Sequence, residues 1–99
     1  MRPENILQDF LAEVAAVQGN QQECEIYIFG SILRNSPLVS DLDLLILYRH
    51  ADDLEQLKQR LRPVCAKYPV DLVCMTPEEE AQFDFIAGQQ ATPVHELIA

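Results

Sequence analysis

The chain has 99 residues, 48% of them apolar, with three Gly and six Pro. This is the profile of one small globular domain spanning 1–99, not of a disordered or fibrous segment. Sixteen acids against seven Lys and Arg give a net charge of −9, which argues against a surface built to grip long RNA or DNA, since phosphate contacts need clustered bases.

Pro3 suits a first helical position, and Ile6, Leu7, Phe10, Leu11, Val14 and Val17 recur at helical spacing up to Gly19. Glu25 to Phe29 reads as a strand, followed by a turn at Gly30 and Ser31 and one helical turn through Arg34. Asp41 to Tyr48 is a second strand, apolar on both faces beyond its acids and therefore central and covered twice. Asp52 and Glu55 form a capping pair for a helix whose apolar face is Leu54, Leu57, Leu61, Val64 and Cys65, with Pro63 expected to kink or end it. Val70 to Met75 is the third strand. Thr76, Pro77 and Glu79 then supply a cap, a first-turn proline and a capping-box acid for a helix running through Phe83 and Ile86 to a C-terminal cap at Gly88. Thr92 to Ala99 fits either a short helix or a strand. The order predicts an α/β (α+β) domain, a small mixed sheet of three or four strands packed with helices.

Three features of this plan bear on chemistry. Asp41 and Asp43 are spaced i, i+2 at the start of a strand, so their side chains share one face. Two acids so placed repel each other unless a cation sits between them, and hard divalent ions take oxygen ligands from one or two carboxylates, completing their shell with water and substrate phosphates. Gly30 and Ser31 form a strand-to-helix turn, where backbone can approach closely and free N–H groups favour anions. Asp71 lies in another apolar run, Val70 to Val73, so a neighbouring strand can bring it to the same edge. Together these residues predict a two-metal site for phosphoryl transfer. Arg34 either reaches a triphosphate or is an exposed helix-end arginine.

The run Ile28, Phe29, Gly30, Ser31, then Arg34, then Ser40, Asp41, Leu42, Asp43, Leu44, with the later Asp71, resembles the nucleotidyltransferase superfamily of DNA polymerase beta. Within it, the chain is similar to the minimal nucleotidyltransferases of prokaryotes. The resemblance covers residues 24 to 75, and more loosely the whole chain. It implies the nucleotidyltransferase fold, with Asp41 and Asp43 binding two Mg²⁺ (or Mn²⁺) ions. It also implies Asp71 as third metal carboxylate and activator of an acceptor hydroxyl, with Gly30 and Ser31 holding the triphosphate of ATP. Asn35 stands where many relatives have Gly, and the loop at Pro37, Leu38 and Val39 is unusually apolar. Similar proteins are often paired with a small helical partner of the HEPN type in toxin–antitoxin modules, where a partner tyrosine is adenylylated.

Two other functions stay open at this point. The same fold can serve as a non-catalytic antitoxin or subunit that acts by contact, and it can be a small-molecule transferase of the aminoglycoside-modifying kind, whose cationic acceptors suit an acidic protein. His50 and His95 have no partner at nucleophile or metal spacing and receive no role. Cys24, Cys65 and Cys74, odd in number and scattered, read as reduced thiols. No stretch resembles a signal peptide or approaches the length of a membrane span, so the expected setting is the cytoplasm.

Overall fold

Helix α1 (Pro3–Gln18) opens a computed structural model that describes residues 3–18, 24–30 and 42–97. Strands β1 (Cys24–Phe29) and β2 (Leu42–Tyr48) follow, then α2 (Ala51–Lys67), β3 (Val70–Met75), α3 (Pro77–Phe83), α4 (Phe85–Gln89), the two-residue β4 (Thr92–Pro93) and a 3₁₀ turn at Val94–Glu96. The strands form one mixed sheet in the order β3-β2-β1-β4. β1 is antiparallel to both β2 and β4, while β2 and β3 are parallel, as two strands joined by a crossover helix must be.

Alternation of side chains sorts the sheet into two faces. Ile26, Ile28, Leu42, Leu44 and Ile46 point to one, where Phe10, Leu11 and Val14 of α1 and Leu54, Leu57, Leu61 and Val64 of α2 bury them in the larger core. On the other face Phe29, Leu45 and Leu47 form a smaller cluster, covered by Phe85 and Ile86 of α4 and flanked by Tyr27, Val73 and Met75. β2 is therefore central and covered twice, as its sequence predicts. A clasp links α1 to the end of α2: Lys67 donates to Glu13 Oε1 at 3.2 Å, lies over the Tyr68 ring, and Tyr68 in turn packs edge-on against Phe10.

Local signals hold at β3 and its cap. The Thr76 hydroxyl accepts from the Glu79 N–H, the Glu79 carboxylate accepts from the Thr76 N–H, and Pro77 opens α3.

Three expectations are corrected. α2 begins at Ala51, with His50 at the cap position and no side-chain cap, so Asp52 lies inside the first turn and Glu55 pairs with Lys58 instead. α2 also continues past Pro63 to Lys67, so the proline does not end it; Pro63 is exposed, and the Gln59 carbonyl that loses its donor belongs to an exposed residue. The helix predicted from Pro77 to Gly88 is two helices, broken where Asp84 adopts the left-handed conformation (φ 51°). Gly88 is helical and the closing left-handed residue is Gln90 (φ 54°). The tail resolves into both alternatives, a short strand and then a 3₁₀ turn. The predicted helical turn through Arg34 lies outside the described residues.

Candidate active site

The β1–β2 and β2–β3 registers place Phe29, Asp43 and Asp71 side by side in one row across the sheet. In-register neighbours present their side chains to the same face, so the two carboxylates rise from the α4-covered side at the end where β1 finishes and β2 and β3 begin. Just before them, the Leu42 N–H donates to the Pro69 carbonyl at 2.8 Å, which pins the parallel register at this row. Asp71 is exposed and Asp43 half-buried, so the pair opens to solvent while its neighbour Phe29 is buried.

Gly30 completes the row. Its φ of 92° is a conformation that side-chain-bearing residues rarely adopt. The Asp43 carboxylate occupies the space a Cβ there would fill, its Cγ lying 3.1 Å from that position. The glycine is thus required twice, by backbone conformation and by the acid seated against it. This is a cradle for a carboxylate, built from a residue chosen for having no side chain.

The sequence that carries Asp71 is one-sided in charge. From Tyr68 to Leu97 the chain contains no Lys or Arg, while Asp71, Glu78, Glu79, Glu80, Asp84 and Glu96 are all acidic. Further along the same face, the Tyr27 hydroxyl donates to Glu25 Oε2 at 3.3 Å. Burial first, then the charge of Glu25, pushes its ionisation above the ordinary phenol range, with Glu80 and Glu96 adding to it. Burial likewise raises the Cys74 thiol, on the opposite face of β3. The three cysteines are free.

Of the residues singled out by sequence, the structure brings together Gly30, Asp43 and Asp71. Asp41, Ser31 and Arg34 lie outside the described residues. Among the described residues no group of three or more His, Cys, Asp or Glu is placed to hold a metal ion. His50 and His95 are exposed. Sequence reasoning overlooked the aromatic pair beside the row, Phe29 and Phe85, whose rings meet edge to face at 5.0 Å and 90°. The missed signal was Asp84, a residue type that tolerates the left-handed conformation and so permits a break in a helical pattern.

The model of the family described as "Nucleotidyltransferase domain" matches residues 13–93, from α1 through β4. The chain belongs to that family. No curated protein and no solved structure matches it. The four-stranded mixed sheet with helices on both faces agrees with the nucleotidyltransferase fold, and transfer of a nucleotidyl group is the activity this domain supports. No helix among the described residues is long and apolar enough to cross a membrane.

Nucleotidyltransferases typically use divalent metals. The donor set fits such an ion: two hard carboxylates on one face, one of them seated by Gly30, match the protein share that Mg²⁺ takes when water and phosphates fill the remaining positions.

Proposed function

We propose that this single domain catalyses transfer of a nucleoside monophosphate, AMP from ATP in the first instance, to the hydroxyl of an acceptor in the cytoplasm. The observation that carries the reading is the register: Asp43 and Asp71, separated in sequence by all of α2, are direct neighbours on one face beside Gly30. Two hard carboxylates aligned on one face are the protein share that a divalent cation takes.

In this reading Asp43 and Asp71, with Asp41 two residues before Asp43 in sequence, hold Mg²⁺ or Mn²⁺. A divalent ion bound there supplies charge stabilisation for the phosphoryl oxygens. Asp71, the exposed member, orients the acceptor hydroxyl and takes its proton as the acceptor oxygen bonds to the α-phosphorus and the bond to the β-phosphate oxygen breaks. Pyrophosphate leaves with that bond's electron pair. Gly30 and Ser31 hold the departing phosphates through backbone N–H groups, and Arg34 is their candidate counter-charge.

For the acceptor we favour a folded protein partner presenting a Tyr, Ser or Thr hydroxyl, as in the pairing of minimal nucleotidyltransferases with HEPN-type proteins. A net charge of −9 suits a polyanionic acceptor poorly. The open edge of β3, carrying Asp71, offers a partner direct access.

The test is incubation of the protein with labelled ATP, Mg²⁺ and the product of the neighbouring gene. Label should appear on that protein and vanish with Asp71→Asn, while the complex still forms. Label on RNA or on an aminoglycoside, with the partner clean, overturns the choice of acceptor. A complex that forms and neutralises the partner without any transfer favours a contact-only antitoxin or subunit.

A further inference from the structure

We infer that Phe85 is a positioning residue for the Asp43 carboxylate, acting through Phe29, and that the left-handed break at Asp84 exists to put it there. The inference rests on the reading of Asp43 and Asp71 as a cation-holding pair, and it concerns a residue outside the motif that identifies them.

The observation begins with a helix that does not continue. In an unbroken helix from Pro77, Phe83 and Ile86 would share a face toward the sheet, three residues apart, with Phe85 off that face. Instead Asp84 takes φ 51°, and the chain restarts as α4. The result is a reversal. Phe83 is left 67% exposed, and Phe85 turns inward with Ile86. A non-glycine residue in this conformation carries a local cost, reduced for Asp, and exposing a phenylalanine adds to it. Such local costs persist where surrounding structure over-determines them, and they concentrate at functional sites.

What is obtained is an edge-to-face contact with Phe29 at 5.0 Å, a favoured aromatic geometry. Phe29 is the cross-strand partner of Asp43 and stands directly beside it on the same face. Asp43 is thus bounded on one side by the Phe29 ring and by the cradle at Gly30, with Asp71 on the other side. With Phe85 packed against the Phe29 ring, the acid is confined to few rotamers and kept seated in the Gly30 cradle. Supporting residues of this kind set metal affinity by orienting ligands they do not replace.

The two separate apolar clusters make the inference testable. Side-chain coupling constants of the Asp43 β-protons, measured by NMR on metal-free protein, should report one χ1 rotamer in the wild type and averaging in Phe85→Ala. Titration with Mn²⁺ alone, followed by the resonance of the free ion at a temperature where circular dichroism shows each variant folded, should give about tenfold weaker binding for Phe85→Ala. Phe85→Leu, which still fills the space against Phe29, should restore most of both signals. Leu57→Ala, in the cluster on the other face, should lower the melting temperature at least as much and change neither signal. Unaveraged couplings in Phe85→Ala, or Mn²⁺ binding equal to the wild type, overturn the inference, as does an equal loss in Leu57→Ala. If the wild-type protein shows one rotamer but binds no Mn²⁺, the positioning stands and the cation reading falls.

Discussion

Asp43 and Asp71 are in-register partners on two parallel strands, the only pair of acids aligned directly across from one another in the β2–β3 ladder. Like charges opposite each other destabilise a sheet, by about 0.2–1 kcal/mol per pair. Asp71→Asn should therefore raise the melting temperature in EDTA by up to about 5 °C for a domain of this size. Added Mg²⁺ with ATP should stabilise the wild type more than the variant, reversing the order. A loss of stability in EDTA would show that the two acids are not in conflict.

Gly30→Ala should cost about 2–3 kcal/mol, because it adds a left-handed strain to a collision with the Asp43 carboxylate. Combined with Asp43→Ala, the collision disappears and only the backbone strain remains. Urea denaturation of the four proteins in this cycle should show a double variant more stable than the sum of the single effects by about 1 kcal/mol. Strict additivity would mean that the acid does not sit against the glycine.

The clasp between α1 and α2 predicts a bounded pH window. The Tyr68 hydroxyl first, then the Lys67 ammonium, hold the Glu13 carboxyl below the ordinary range, and Glu13 in turn raises both Tyr68 and Lys67. A lowered acid stabilises above its unfolded value near 4.5 and loses that contribution as pH falls through its lower folded value. A raised phenol or amine stabilises below its unfolded value, near 10.0 for Tyr68, and loses it as pH rises through the higher folded value. Glu13→Gln should accordingly melt below the wild type between these limits and converge with it beyond both ends. A difference unchanged below pH 3 would exclude this origin.

The ends of the α3–α4 pair offer opposite outcomes. Thr76→Ala removes the hydroxyl half of the capping box, leaving the Glu79 carboxylate on the backbone N–H, and should cost about 1 kcal/mol. Gln90→Gly relieves a left-handed glutamine at the end of α4 and should gain about 1 kcal/mol. Thermal melts of the two variants check both signs.

How far such features can be read from sequence depends on whether their causes are local. Val70–Met75 is legible to the residue because its apolar run ends at a threonine, proline and glutamate whose hydrogen bonds are satisfied within one turn. The same holds for the central place of β2, whose residues are apolar on both faces. The start of α2 is not: Asp52 and Glu55 have the composition of a cap, but the helix is capped two residues earlier, at His50, and uses neither of their side chains for it. The break at Asp84 is harder still, since local propensity favours one continuous helix and the burial of Phe85 against Phe29 decides otherwise. At the candidate site, Asp43 and Gly30 are close in the chain and their spacing is visible. That Asp71 aligns with Asp43, and not with Leu42 or Leu44, follows from the length and packing of the crossover helix, which no short window contains.

That crossover also sets when the site can exist. Asp43 is in place as soon as β1 and β2 pair, but Asp71 joins it only after α2 has closed a long loop and docked β3 in parallel register, the kind of distant contact that forms slowly. A partly folded chain therefore lacks the carboxylate pair. The row that joins Gly30, Asp43 and Asp71 is therefore a late product of folding, complete only once the crossover is closed.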